Sequence, residues 1–147
     1  MNTETTQTTQ TTQTTESSTG TPASHRSGSI GWFEIASADP DRAQAFYSLL
    51  LGWSVTPAGA VGGLDYRNVS TGQDHSVRGG ILATEGKVPS YAIFAVVVDD
   101  VPAAVEKATT LGGSLVNGPI TLDSGLVCAY LSDPDGSLFS VFTPPPA

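Results

Sequence analysis

The chain has 147 residues, one cysteine and a formal net charge of −8, and its few Lys and Arg residues form no cluster. This length fits one folded domain, and an acidic chain without a basic patch argues against a nucleic-acid or anionic-membrane partner. A single cysteine excludes an internal disulfide, and no apolar run is long enough to span a membrane, so we expect a cytoplasmic protein.

The first 29 residues are a Thr-, Gln- and Ser-rich tail without any Val, Leu, Phe, Tyr or Trp. Such a segment cannot bury enough apolar surface to offset chain entropy, so residues 1–29 are predicted to be disordered. The tail also lacks the basic start and the apolar stretch of a signal peptide. The folded domain is therefore expected to cover residues 30–147.

The first half of the folded part predicts a strand, a helix and three further strands. The strand is expected over residues 31–37, and Asp39-Pro40 then supplies a helix cap and a proline at the first helical position. Gly52 is expected to end the helix. The three later strands are predicted at about 53–56, 64–69 and 76–82.

The second half repeats the same order of elements. A strand is predicted over residues 91–98, Asp100 is expected to cap a second helix, and Gly112-Gly113 is expected to end it. The three later strands are predicted at about 114–117, 126–131 and 137–142.

The two halves align at a constant offset of 61 residues, which carries Phe33 to Phe94 and Asp39 to Asp100. Six such matches, at caps, helix faces and turns, indicate an internal duplication. The predicted fold class is α+β, with two tandem βαβββ modules whose sheets join around one cleft. Module 1 is expected over about residues 30–84 and module 2 over about 90–143.

These features resemble the vicinal-oxygen-chelate (VOC) superfamily, which includes glyoxalase I, bleomycin-resistance proteins and extradiol dioxygenases. The resemblance is carried by Phe33–Tyr47, Leu51-Gly52-Trp53, Val98–Val105, Leu111-Gly112-Gly113 and Asp133-Pro134-Asp135-Gly136. It implies a glyoxalase/bleomycin-resistance-like fold over residues 30–143. Because members of this superfamily often dimerise, a homodimer is also expected.

The resemblance further implies four metal-ligand positions, which in this sequence carry Trp32, Gly79, Ile93 and Ser140. Trp, Gly and Ile side chains offer no metal ligand, and a neutral serine hydroxyl is a weak one. Glu34 and His75 are the nearby substitutes, and together they still leave half a site empty. We therefore predict no metal and no other cofactor.

Strand alternation places Phe33 and Ile35 under the helix and Trp32 and Glu34 on the opposite side, facing the cleft. The resemblance implies that the substituted metal positions face the cleft, and alternation from them extends the predicted ligand-binding set to Trp32, Glu34, Tyr91, Ile93, Ser140 and Phe142. Most of these side chains are apolar or aromatic, which suits a planar or hydrophobic small molecule.

Glu34 is the candidate catalytic residue, because a carboxylate among apolar strand neighbours can bind a ligand's donor groups or act as a general base. The alternative is a structural carboxylate that pairs with Arg67 or Arg78 across the sheet. Cys128 is expected to be a small buried hydrophobe rather than a nucleophile. His75 is expected in a surface loop.

Three functions remain open. The first is a metal-independent protein that binds an apolar or aromatic small molecule between the modules. The second is a metal-independent enzyme, an isomerase, lyase or cyclase, with Glu34 as its acid or base. The third is a metal-dependent lyase or dioxygenase with atypical ligands.

Overall fold

A computed structural model describes residues 26–72 and 76–146. Its elements are β1 (Ile30–Ser37), α1 (Pro40–Leu51), β2 (Ser54–Val61), β3 (Leu64–Ser70), β4 (Gly79–Ala83), β5 (Tyr91–Val97), α2 (Val101–Thr110), β6 (Ser114–Thr121), β7 (Val127–Ser132) and β8 (Leu138–Thr143). This order confirms the two tandem βαβββ modules. The predictions for residues 1–25 of the tail and for His75 lie outside the described residues.

The eight strands of the described residues form one mixed sheet, in the order β2-β3-β4-β1-β5-β8-β7-β6. Antiparallel β1 and β5 join the two modules, and Glu34 lies opposite Ile93 in their register. Within each module the last strand returns parallel to the first, so that β4 lies beside β1 and β8 beside β5. The junction of the modules is therefore the centre of the sheet.

Local sequence sets the ends of both helices. The side chains of Asp39 and Asp100 accept hydrogen bonds from the backbone N–H groups of Arg42 at 3.1 Å and Ala103 at 3.0 Å. These bonds satisfy donors that a helix start leaves unpaired, and they confirm both predicted caps. Gly52 follows α1 with a φ of 73°, a left-handed conformation that glycine adopts without steric cost. Neither α1 nor α2 is long and apolar enough to cross a membrane.

Each module has its own apolar cluster. In module 1 the buried residues Ile35, Val69 and Ile81 pack with partly buried Phe33 and Trp53. In module 2 the buried members are Val101, Ala129, Leu131 and Val141. Because successive strand residues face opposite sides of a sheet, Trp32 and Glu34 project away from the side that Phe33 and Ile35 occupy.

The outermost strands are longer than predicted. β2 continues through Pro57 and Gly59, and β6 continues through Gly118 and Pro119. Both are edge strands, where a proline does not have to donate a ladder hydrogen bond. Register shifts beside these residues accommodate the irregular backbone. Segments whose composition indicates loops are thus the edges of the sheet.

Candidate functional site

A cavity of about 170 Å³ lies on the face of the sheet that carries Trp32 and Glu34. At roughly 30 Å³ per molecule, this volume corresponds to about five or six waters. Both modules contribute to it, so the cavity lies at their junction. Its lining residues are Trp32, Glu34, Val61, Tyr66, Ala95, Leu122, Leu126, Cys128, Tyr130, Ser140 and Phe142.

Glu34 is the charged residue of this lining, and it is only 8% exposed. The Tyr91 hydroxyl donates to Glu34 Oε2 at 2.5 Å, and the Tyr130 hydroxyl donates to the same oxygen at 2.7 Å. Hydrogen bonds to an ionised acceptor at these lengths are strong, and they offset part of the cost of burying a carboxylate. Since Tyr91 lies on β5 and Tyr130 on β7, module 2 holds the carboxylate that module 1 supplies.

A second polar contact joins Trp32 and Tyr66 in the cavity wall. Trp32 Nε1 donates to the Tyr66 hydroxyl oxygen at 2.8 Å. Tyr66 lies against Gly80, where an added Cβ would collide with the tyrosine ring and hydroxyl. Glycine at position 80 therefore allows Tyr66 to approach the backbone of β4 closely.

Burial raises the pKa of the Tyr66, Tyr91 and Tyr130 hydroxyls, and the negative charge of Glu34 raises the pKa of each one further. These phenols stay protonated above the pH at which tyrosine ordinarily ionises, so they remain hydrogen-bond donors. Burial, with a smaller contribution from Glu34, also raises the pKa of the Cys128 thiol. A thiol with a raised pKa carries little thiolate at neutral pH and is a poor nucleophile.

Four of the six predicted site residues line the cavity together: Trp32, Glu34, Ser140 and Phe142. Tyr91 is outside the lining but reaches the site through its hydrogen bond to Glu34. Ile93 lies opposite Glu34 in the β1–β5 register and is also outside the lining. Ligand binding by any of these residues stays a prediction.

Tyr66 and Tyr130 were not among the predicted site residues. The available signal was alternation within β7, which puts Cys128 and Tyr130 on one face. Choosing that face as the cleft face requires the β7–β8 register, in which Tyr130 lies opposite Ser140. Alternation within one strand does not specify its register with a neighbour, so both tyrosines escaped notice.

Gly79 was wrongly assigned to one of the four family ligand positions. In the β1–β4 register Gly80 lies opposite Glu34, and Gly79 lies opposite Phe33. An added Cβ at Gly79 would collide with the Phe33 ring on the helix side of the sheet. The constant offset of 61 residues is thus off by one at β4, and Gly80 occupies the cleft position.

The alternative pairing of Glu34 with Arg67 was also wrong. Arg67 forms salt bridges with Asp41 at 2.8 Å and with Asp65 at 3.1 Å. The reason is strand alternation, because Arg67 follows cavity-lining Tyr66 and so faces the other side of β3. Arg78 is exposed, and no salt bridge within the described parts of the chain includes it.

The side chains at the four family ligand positions do not fit a divalent metal ion. With Gly80 replacing Gly79, these positions carry Trp32, Gly80, Ile93 and Ser140. The Ser140 hydroxyl donates to the Ala129 carbonyl oxygen at 3.1 Å. Over residues 26–72 and 76–146, no three His, Cys, Asp or Glu side chains form a group that could hold a metal. A single carboxylate is too few protein ligands for a stable site.

Comparison with known proteins identifies the family. The family model of the Glyoxalase-like domain matches residues 32–142, which include every residue of the cavity lining. The chain therefore belongs to the glyoxalase-like domain family, within the VOC superfamily.

Two curated relatives illustrate this membership. The chain is 32% identical over 127 residues to the putative glyoxylase CFP32 of Mycobacterium tuberculosis, covering 86% of this chain and 48% of that protein. It is 36% identical over 124 residues to the anthracycline biosynthesis protein DauV of a Streptomyces species, covering 84% of this chain and 42% of that protein. The chain thus spans about half the length of the curated relatives it matches.

Solved structures show the same fold at low sequence identity. Methylmalonyl-CoA epimerase from Mycobacterium tuberculosis matches with a TM-score of 0.59 and 19% identity, over 84% of this chain and 93% of that chain. The hypothetical protein BH1468 from Bacillus halodurans matches with a TM-score of 0.63 and 15% identity, over 83% and 98% of the two chains. These similarities confirm the predicted fold class.

Proposed function

We propose that the protein binds a small, largely apolar or aromatic molecule in the cavity without using a metal ion. The observation that carries this proposal is the composition of the lining, in which aliphatic and aromatic side chains surround one buried carboxylate. Apolar walls with a few placed polar groups are the usual composition of small-molecule sites. The side chains at the family's ligand positions support the metal-independent part of the proposal.

The size of the cavity limits the ligand. Its volume of about 170 Å³ lies below the range of roughly 300–1,000 Å³ that is typical of sites for drug-sized molecules. The ligand is therefore a small molecule, or one apolar end of a larger one.

Calorimetric titration with small neutral aromatic compounds, such as indole and benzyl alcohol, tests this proposal. We expect saturable binding with one site per chain, and the same affinity in the presence of excess chelator. Binding that disappears with the chelator and returns with zinc would contradict a metal-independent site.

A matched pair of variants locates the binding. Leu126→Trp places a large ring in the cavity lining and should abolish binding. Leu111→Trp makes the same change at a residue that is 67% exposed, and it should leave binding intact. Equal binding by both variants would show that the ligand lies outside the cavity.

The two hydrogen bonds to Glu34 favour a second candidate, a metal-independent acid–base enzyme. Tyr91 and Tyr130 fix the carboxylate at the cavity wall, where it could take a proton from a carbon beside a carbonyl group. The electron pair of the broken C–H bond would move to the carbonyl oxygen as an enolate, and the proton would move to Glu34.

Hydrogen–deuterium exchange tests this enzyme directly, because it requires no knowledge of the product. Small enolisable ketones are incubated with the protein in D₂O, and loss of the α-proton signal is followed by NMR. Under this candidate, wild-type protein accelerates exchange, and Glu34→Gln abolishes the acceleration while it retains binding. Exchange at the buffer rate with every ketone would argue against an enolising enzyme.

We also propose a homodimer, a cytoplasmic location, and no nucleic-acid or membrane partner. The acidic charge of the chain supports the lack of nucleic-acid and anionic-membrane partners. Sedimentation equilibrium at micromolar concentration tests the dimer, and a single species at the monomer mass would exclude it under those conditions.

A further inference from the structure

We propose that the ligand of this cavity is an organic cation, a protonated amine joined to a small apolar body. This inference rests on the proposed binding function and adds the sign of the ligand's charge. Its basis is a buried carboxylate that has no cationic partner in the described part of the chain, together with an aromatic wall around it.

Glu34 lacks a cationic partner among the residues that the structure describes. It is 8% exposed, yet none of the salt bridges there includes it. Among residues 26–72 and 76–146, no Lys, Arg or His is part of the cavity lining. Arg67 is occupied by Asp41 and Asp65 on the other side of β3. Buried carboxylates are normally paired, and here a cationic ligand would supply the missing charge.

Four aromatic residues form much of the wall around this carboxylate: Trp32, Tyr66, Tyr130 and Phe142. The face of an aromatic ring attracts a cation electrostatically, and the attraction is greater where water is excluded. The hydrogen bond from Trp32 Nε1 to Tyr66 Oη fixes two of the four rings relative to each other. A cavity of about 170 Å³ keeps any bound charge near both the rings and the carboxylate.

The hydrogen bonds of Glu34 leave capacity for a donor from the ligand. Tyr91 and Tyr130 both donate to Oε2, and even with one further hydrogen bond from the neighbouring Tyr66 hydroxyl the carboxylate retains an acceptor site on Oε1. A protonated amine can donate to Oε1, whereas a carboxylate on the ligand would be repelled by Glu34. The formal net charge of −8 on the chain also favours the approach of a cation.

Three compounds that share one apolar body test the inference: 3,3-dimethylbutylamine, 3,3-dimethylbutan-1-ol and 3,3-dimethylbutanoate. At neutral pH they carry a positive, a neutral and a negative head group on the same branched chain. Isothermal titration calorimetry should show that the amine binds about tenfold or more tightly than the alcohol, and that the acid binds most weakly.

Variants assign the preference to particular side chains. Glu34→Gln should reduce the amine-to-alcohol preference to about one, because the charge is lost while the shape is kept. Glu106→Gln makes the same change at an exposed residue of α2 and should leave the preference unchanged. If thermal unfolding shows that Glu34→Gln is not folded, Trp32→Leu provides the test, since it should weaken the amine more than the alcohol.

Three results would overturn the inference. The first is equal or tighter binding of the alcohol by wild-type protein, and the second is an amine preference that survives Glu34→Gln. The third is the absence of binding by all three compounds at millimolar concentration. The separate titrations with neutral aromatic compounds then show whether the proposed binding function fails with it.

Discussion

The two tyrosine hydroxyls on Glu34 provide the sharpest test of the site. Removing either one, as Tyr91→Phe or Tyr130→Phe, takes a donor from a buried carboxylate and changes little else in shape. A hydrogen bond to a charged group contributes about 1.5–3 kcal/mol, and we expect each variant to lose that much free energy of unfolding.

The double variant should lose more than the sum of the two single variants. Both hydroxyls donate to the same oxygen, Oε2, so the remaining donor can strengthen its bond when the first is removed. Removing the second donor leaves that oxygen without either tyrosine. We expect a coupling energy of about 0.5–1 kcal/mol and a total loss of about 3.5–7 kcal/mol. This is a large fraction of the stability of a typical domain.

Urea unfolding followed by circular dichroism measures these losses, and Tyr47→Phe is the matched control. The Tyr47 ring stacks on Trp53 with centroids 5.4 Å apart, and no side-chain hydrogen bond in the described parts of the chain includes its hydroxyl. The Tyr47→Phe variant should lose no more than about 0.5 kcal/mol of free energy of unfolding. If Tyr91→Phe and Tyr130→Phe also stay within that limit, our account of the buried carboxylate is wrong.

Three further predictions concern the surroundings of the site. Gly80→Ala should displace Tyr66 and lower the free energy of unfolding in urea by about 2–4 kcal/mol, because it overpacks the site and weakens the hydrogen bond from Trp32. A neutral effect would contradict the close approach of Tyr66 to the backbone at Gly80. Because the pKa values of Tyr66, Tyr91 and Tyr130 are raised in the folded chain, the unfolded chain loses its phenolic protons at a lower pH than the folded chain does. The free energy of unfolding should therefore fall above about pH 10, by roughly 1.4 kcal/mol per pH unit for each tyrosine, and a flat profile would refute this. Asp100→Ala should cost about 1 kcal/mol by removing the α2 cap, as a shift in the thermal unfolding midpoint would show.

Much of the fold could be predicted because its signals are local. Asp39 and Asp100 each precede a proline-containing first turn, and both cap a helix as expected. Edge strands were harder, because Pro57 and Pro119 are read as loop residues when the position of a strand in the sheet is unknown. Alternation predicted the face of Trp32 and Glu34 correctly, since it needs only one strand.

The partners of Glu34 could not be predicted in the same way. Tyr130 is 96 residues away in sequence, and only the combined registers of β1, β5, β8 and β7 bring the two side chains together. Arg67 looked like a plausible partner because its charge is complementary, but its strand face excludes it. Complementary chemistry in a sequence therefore identifies candidates, and register decides among them.

The division of the site between the modules bears on how it arose. The offset of 61 residues carries Glu34 to position 95 and Ile30 to position 91. If the two halves were identical, position 95 would therefore carry a second carboxylate, and position 91 would carry isoleucine and lack the tyrosine hydroxyl. Two buried like charges at one junction would repel each other. The present site therefore requires halves that differ at these positions, with the acid in one half and its tyrosine donors in the other. A substitution at Glu34 should accordingly change which residues are tolerated at positions 91 and 130.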